Sequence, residues 1–345
     1  MNRKAVRHRN IPIFIPHLGC PNLCVFCNQR SISGKQSFRV ESVKSEIEAA
    51  LDTIPADCEV EIAYFGGSFT GIDRELMIYL LDTAKYYVDY PIPEKARASG
   101  IRMSTRPDYI NEEIMEILSH YPVSAVELGL QSMDEGVLRL SKRGHTAEDA
   151  QAACKMIKDA GYSLVGQMMI GLPGSDLENE IYTANMICQM GADAARIYPT
   201  VVLEGTELSK MQKSGYYTAL TVEEATERCA NVLDIFSQND VQVIRIGLCA
   251  NEILENEASH NSYHAAIGEL VRARVFRHRM EKLLNQADVT EMKTAVFTVP
   301  MGKISQALGQ KRSNAEYLKK IFQLNHVKAI ECGSLTEFDV TLAVE

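Results

Sequence analysis

The stretch GCPNLCVFCNQR, residues 19–30, carries three cysteines at Cys20, Cys24 and Cys27. Thiolates are metal ligands, and zinc or iron–sulfur sites held entirely by protein take four of them. A structural zinc would need one more Cys, His or carboxylate here; His17 is near, but no second Cys-x-x-Cys pair exists. A cubane iron–sulfur cluster on three thiolates leaves one iron open for a non-protein ligand, which suits a catalyst better than an electron carrier. The other six cysteines, Cys58, Cys154, Cys188, Cys229, Cys249 and Cys332, stand singly among apolar neighbours and read as small core residues.

Such a cluster does chemistry only where a scaffold holds it at a cavity. From residue 11 to about 247, apolar β-branched segments alternate with segments of helical period. Strands are expected at Ile11–Ile15, Val60–Phe65, Ile101–Ser104, Ala125–Leu130, Leu164–Ile170, Ala194–Tyr198 and Val241–Ile246, with helices near 41–53, 74–88, 111–120, 147–160, 177–190 and 222–238. Asn111, and Ser175 or Asp176 after a Gly/Pro turn, have the side chains of helix N-caps. The alternation implies parallel strands joined by right-handed crossovers. The strands read as apolar on both faces, as buried parallel strands are. The expected class is α/β, a partial (β/α)6-type TIM barrel. Barrel chemistry belongs at the C-terminal ends of the strands, and the cysteine loop directly follows the first one. Past about 248 the rhythm changes: 264–284 reads as a helix, "TAVFTVP" as a strand, "ISQALGQKRSNAEYLKKIF" as one or two helices, and "VKAIEC" and "DVTLAV" as closing strands. The expected division is a barrel over 1–250 and a small C-terminal α/β appendage over 251–345.

The net charge of −9 weakens a polymeric nucleic-acid substrate, because Lys and Arg must replace phosphate counterions. Basic stretches at 274–282 and 309–320 read as solvated helix faces. No run approaches the ~18 apolar residues that span a bilayer. The start lacks a signal-peptide core, and an odd total of nine cysteines does not suggest a disulfide framework. The expected location is the cytoplasm, with no membrane partner.

Cys-x3-Cys-x-aromatic-Cys, with Phe26 as the aromatic, resembles the signature of radical S-adenosylmethionine (SAM) enzymes. The resemblance implies a 4Fe-4S cluster on Cys20, Cys24 and Cys27 whose open iron binds the amino and carboxylate groups of SAM. One electron then cleaves SAM to a 5′-deoxyadenosyl radical that abstracts hydrogen from substrate. It also implies an electron donor such as flavodoxin or ferredoxin. "YFGGSFTG", residues 64–71, resembles the family's glycine motif, which places Gly66, Gly67 and Ser68 at the methionine amino group. Gln131 and Arg143 resemble a pair in the oxygen-independent coproporphyrinogen oxidase-like branch that holds the ribose hydroxyls and the methionine carboxylate. Ser104 and Gln167 end the third and fifth strands and would complete the nucleoside pocket, where that branch usually shows acidic residues. Met168 and Met169 read as core. The resemblance covers residues 11–247 well and the appendage more loosely.

Arg196 and Tyr198 end the sixth strand; Arg245, Asn251 and Glu252 lie at or beyond the end of the seventh. By position they face away from the cluster and are candidate substrate contacts. His17, Tyr198 and His264 are candidate proton carriers. Within the family the chain is similar to bacterial proteins of the elongator-catalytic-subunit-like and coproporphyrinogen oxidase-like branch. It leaves no room for an acetyltransferase domain and shows neither a cobalamin domain nor a second cysteine cluster. A queuine lyase, which cuts queuine to 7-aminomethyl-7-deazaguanine, resembles it in length and layout. That resemblance implies a small-molecule substrate, with Glu252, Glu204 or Glu207 reading the guanine-like edge. Elongator-like tRNA modification and a porphyrin-pathway reaction are the alternatives.

Overall fold

A computed structural model describes residues 7–21, 24–34, 37–249, 252–258, 262–288 and 292–343. Seven parallel strands follow one another in space as in sequence: β1 (Arg7–Phe14), β2 (Cys58–Phe65), β3 (Arg97–Thr105), β4 (Val123–Gln131), β5 (Ser163–Ile170), β6 (Ala194–Pro199) and β7 (Gln242–Ile246). Six crossovers join them, and β1 and β7 are the edges of a curled sheet, a partial TIM barrel. β1 begins four residues before its apolar run. Arg7 to Asn10 are polar but pair in register with Cys58 to Glu61, so backbone pairing extends the strand where side-chain pattern does not.

The crossover helices form where the apolar period requires. Helix Glu112–Ser119 is capped by the Asn111 side chain, which accepts from the Ile114 N–H at 2.9 Å. Helix Leu177–Gln189 is capped by Asp176 rather than Ser175, in a reciprocal pair with Asn179. Their buried faces pack on the outward residues of the sheet, among them Ile11, Ile13, Ile62, Tyr64, Ile101, Met103, Val126, Leu128, Met168 and Ile197.

The inner face of the sheet corrects the sequence expectation, because it is not apolar. Glu61, Arg102, Glu127, Gln167 and Arg196 come from five successive strands and bond to one another across the barrel. Period-two alternation in the strands thus runs apolar outward and charged inward. The charges are tolerated because each is paired (below).

After β7 a short helix, Glu252–Glu257, packs beside the helix Gln29–Ser33 of the cysteine loop, with Leu254, Ala258, Ile32 and Leu203 in one apolar cluster. The helix Ile267–Gln286 then lies along Val222–Gln238, joined by Arg274 to Glu223 and by Arg279 to Asp234 at 2.7 Å each. A second sheet has the order β10 (Thr341–Ala343), β8 (Thr294–Pro300), β9 (His326–Cys332). "ISQALGQKRSNAEYLKKIF" is two helices, Ile304–Leu308 and Ser313–Phe322, broken where Gly309, Lys311 and Arg312 take positive φ. One hydrophobic core runs without interruption from Ile11 to Phe338.

Candidate active site

The cysteine loop leaves β1 at Ile15, whose N–H donates to Phe65 O at the end of β2. Its path depends on backbone touching backbone. Gly19 and Gly67 both have positive φ; a Cβ on Gly19 would lie 2.2 Å from Ser68 O, and one on Gly67 would lie 2.1 Å from Leu18 O. No other residue fits two loops this close. Gln29 fastens the same junction, its Oε1 accepting from the N–H groups of both His17 and Gly67 at 2.5 Å. Val25 N–H donates to Ser141 O, which ties the loop to the segment that carries Arg143.

At the far end of β4 the register shifts between Gly129 and Gln131, and Gln131 takes φ +66°. A non-glycine residue held there costs about 1–3 kcal/mol. The shift leaves Gly129 O free to accept from Arg143 Nη2 at 2.7 Å, and Arg143 Nη1 then reaches Cys24 Sγ at 3.4 Å. Gln131 Oε1 and Arg143 Nε are buried and bond to no protein atom.

These groups line one cavity of about 630 Å³. Cys20, Cys24, Cys27, Phe26, Gly66, Gly67, Gln131 and Arg143 are among its lining residues. Ser104, Gln167, Arg196, Tyr198 and Arg245, from β3, β5, β6 and β7, line it as well. Gln167 Nε2 donates to Ser104 Oγ at 3.3 Å and to Glu127 Oε2 at 2.8 Å. Glu127 also accepts two bonds from Arg196, at 2.7 and 2.9 Å, and one from Arg102 at 3.2 Å. Arg102 continues to Glu61 at 2.7 Å, and Glu61 to His8 at 2.7 Å.

Three residues expected at the site stand apart from this lining. Ser68 is buried behind the glycine loop, bonded to Thr105 Oγ1 at 2.9 Å and to the Arg106 N–H at 3.0 Å. His17 contributes its backbone to the Gln29 junction, and its side chain is not among the cavity's walls. His264 Nδ1 accepts from Ala266 N–H at 3.1 Å, just ahead of the long helix that begins at Ile267. Asn251 lies outside the described residues; Glu252 opens the short helix after β7. Met168 is core, but Met169 faces the cavity. Sequence reasoning passed over Glu127, Arg102, Gln29 and Arg106. The first two lie inside strands that read as apolar, and nothing in one sequence gives Gln29 a partner 38 residues on.

Burial sets the thiol chemistry. It pushes Cys27 up to about 12, with Cys24 and Cys20 adding to the rise, and it raises Cys20 against the pull of Arg143 and Arg106. Thiols in this setting lose their protons only to a group that supplies strong positive charge, as a metal does. Among the described residues no three His, Cys, Asp or Glu converge as one ion would require.

The sequence matches the Radical SAM superfamily over residues 14–187 and the Radical_SAM C-terminal domain over residues 192–277. The chain belongs to the radical SAM superfamily. It is 37% identical over 248 residues to the tRNA uridine(34) acetyltransferase of Methanocaldococcus infernus, a match covering 60% of this chain and 46% of that one. Human Elongator complex protein 3 is 26% identical over 254 residues, covering 63% and 46%. The chain thus spans about half the length of these relatives. The structure of Methanocaldococcus infernus Elp3 with an N-terminal deletion superposes with a TM-score of 0.62 at 25% identity, over 81% of this chain and 64% of that one. Methylornithine synthase shares the fold, with a TM-score of 0.51 at 16% identity over 69% and 64%.

A radical SAM protein uses a 4Fe-4S cluster and SAM, and the cavity fits both. The three thiols that line one cavity need a metal group to ionise them. An unpartnered guanidinium nitrogen and an unpartnered amide oxygen, both buried, await an anion and a hydroxyl. A glycine pair at positive φ, Gly66 and Gly67, opens the backbone between them.

Proposed function

We propose that this radical SAM enzyme modifies a uridine-type nucleoside of tRNA, by chemistry like that of its elongator-like relatives. The observation that carries the radical reading is the convergence of Cys20, Cys24 and Cys27 with Arg143, Gln131 and the Gly66–Gly67 loop on one cavity. The tRNA reading is supported by relatives whose names assign them to tRNA uridine 34. It takes precedence over the queuine reading, since none of the relatives named above is a queuine lyase.

In this assignment Cys20, Cys24 and Cys27 hold the cluster and leave one iron for SAM. Arg143 faces the methionine carboxylate in a fixed fork, oriented by Gly129 O. The Gly66–Gly67 backbone receives the amino group, Gln131 the ribose hydroxyls, and Phe26, Ser104 and Gln167 close the nucleoside pocket. Bound together, cluster and SAM supply a hydrogen-abstracting carbon radical. Apolar walls from Phe14, Phe65 and Met169 keep water from that radical. Glu127, saturated by donors, holds Arg196 and Gln167 still. Tyr198 lines the cavity and is the candidate proton carrier there, and burial raises its hydroxyl above the ordinary tyrosine value. The helix Glu252–Glu257 packs beside the cysteine-loop helix Gln29–Ser33. A reducing, cytoplasmic setting and a flavodoxin- or ferredoxin-like donor complete the assignment; among the described residues no helix is long and apolar enough to cross a membrane.

The test is anaerobic reconstitution with reductant and SAM. The expected result is 5′-deoxyadenosine, formed faster when unmodified tRNA is present, with a mass change on a tRNA uridine. Formation of 5′-deoxyadenosine with tRNA unchanged and added queuine consumed would replace the tRNA reading by the lyase one. No 5′-deoxyadenosine at all would remove both.

A further inference from the structure

Four arginines line the cavity: Arg106, Arg143, Arg196 and Arg245. They fall into two pairs by the company they keep. Arg106 is held by Asp108 through bonds of 2.9 and 2.7 Å, and Arg196 by Glu127 through bonds of 2.7 and 2.9 Å. Those two charges are neutralised inside the protein. Arg143 and Arg245 pair with no carboxylate among the described residues. Each is instead oriented by a glycine carbonyl, Arg143 by Gly129 O at 2.7 Å and Arg245 by Gly247 O at 2.9 Å. A carbonyl aims a guanidinium without cancelling its charge.

The position of Arg245 adds to this. On β7 it is the register partner of Arg196 on β6, so two guanidiniums are set side by side on one wall. Like charges this close repel, and Glu127 offsets only one of them. The chain carries nine more acidic than basic charges, so an acidic partner was not in short supply. A half-buried cation left unmatched in a cavity is the arrangement a protein uses for an anionic ligand. Arg143, on the cluster wall, has its anion in the carboxylate of SAM. Arg245 has none from that source.

From this we infer that Arg245 forms a second anion subsite in the cavity, distinct from Arg143, and that the substrate presents a phosphate group there. A phosphorylated nucleotide is favoured over a free base, because a free base offers Arg245 no charge. The inference rests on the radical reading only for the assignment of Arg143; it does not depend on tRNA being the polymer.

The experiment measures calorimetric binding of uridine 5′-monophosphate and of uridine to the anaerobically reconstituted protein with SAM present. Uridine 5′-monophosphate is expected to bind at least about tenfold more tightly, by the strength of a charge-assisted guanidinium–phosphate contact. Arg245→Gln is expected to remove that preference while uridine binding stays, and Arg245→Lys to keep part of it. Inorganic phosphate is expected to compete with the nucleotide in the unsubstituted protein and not in Arg245→Gln. Equal binding of the two ligands by the unsubstituted protein overturns the inference, whether or not the variants fold. So does a preference that survives in Arg245→Gln with its cluster absorbance intact. If the preference follows Arg245 but the same samples make no 5′-deoxyadenosine, the subsite stands and the radical function fails.

Discussion

Glu127 is the most heavily bonded carboxylate in the barrel, accepting from Arg196 twice, Gln167 once and Arg102 once while its side chain is 1% exposed. Removing its charge strands the Arg196 guanidinium in the interior, since Arg102 still pairs with Glu61, and breaking such a pair costs about 3–5 kcal/mol. Glu127→Gln is therefore expected to lower the melting temperature sharply. Pairing it with Arg196→Met should recover part of the loss, since Arg102 keeps Glu61. A double variant no more stable than the single one would show that Arg196 is not the charge being stranded. His145 gives a pH dependence. Burial, with Arg143 beside it, brings the ring down to about 3 from 6.5. The folded state refuses a proton that the unfolded chain accepts below 6.5, so stability is full above that value and falls as pH drops from 6.5 towards 3. The slope is about 1 kcal/mol per pH unit. Thermal melts at pH 7 and pH 5 should converge more closely for His145→Gln than for the unsubstituted protein; equal shifts in both would clear His145. These two residues also mark a limit of reading. The cysteines, Gly66, Gly67 and Arg143 were visible because their types and spacing resemble a known signature. Glu127 and Arg102 were not, because one charge inside an apolar strand has no meaning until its partners on other strands are known.

At the scale of elements, the site depends on a junction between two loops. The loop after β1 carries the cysteines and the loop after β2 carries the glycines. They meet at Gly19, Gly67 and Gln29, where Cβ atoms are excluded and one amide oxygen takes two N–H groups. Gln29→Leu removes the acceptor shared by these two half-buried N–H groups, which costs about 1 kcal/mol per lost bond, whereas Gln29→Glu keeps an acceptor. The expected outcome is a several-fold weaker apparent affinity for SAM in Gln29→Leu, with iron content per chain reduced, and a milder effect in Gln29→Glu. Both readouts would have to be unchanged in Gln29→Leu for the junction to be dismissed. The strand order was legible here because buried parallel strands alternate with helices of clear period. The short helices Gln29–Ser33, Glu135–Leu140 and Glu207–Lys213 were not, since five to seven residues carry too little period to separate them from loops.

Across the whole molecule, the question is whether the boundary read near residue 250 separates two folding units. The sequence rhythm does change there, and the second sheet has its own order. The two parts nevertheless share one packed core. Helix Ile267–Gln286 buries Val271, Val275, Phe276, Met280 and Leu284, and a single core joins them to the barrel on one side and to Phe297, Val299 and Phe338 on the other. Phe276 is at the centre of this seam, fully buried, its ring 5.3 Å edge-on from Phe338. Around it Arg274 and Arg279 pair back to the barrel helix Val222–Gln238. Phe276→Ala removes contacts to both sides at once, at about 3–5 kcal/mol. If the two parts unfold together, the variant should melt several degrees lower in one transition. Hydrogen exchange should then quicken in β6 and β7 as much as in β8 and β9. Exchange that quickens in β8 and β9 alone would mean that the appendage opens independently and that the barrel is stable without it. The same measurement bears on the cavity, because the chain between β7 and the long helix packs against the cysteine loop through Leu254 and Ile32. A seam that opens as one unit would loosen the cluster wall as well, and iron loss from Phe276→Ala on mild heating should track the melt rather than precede it.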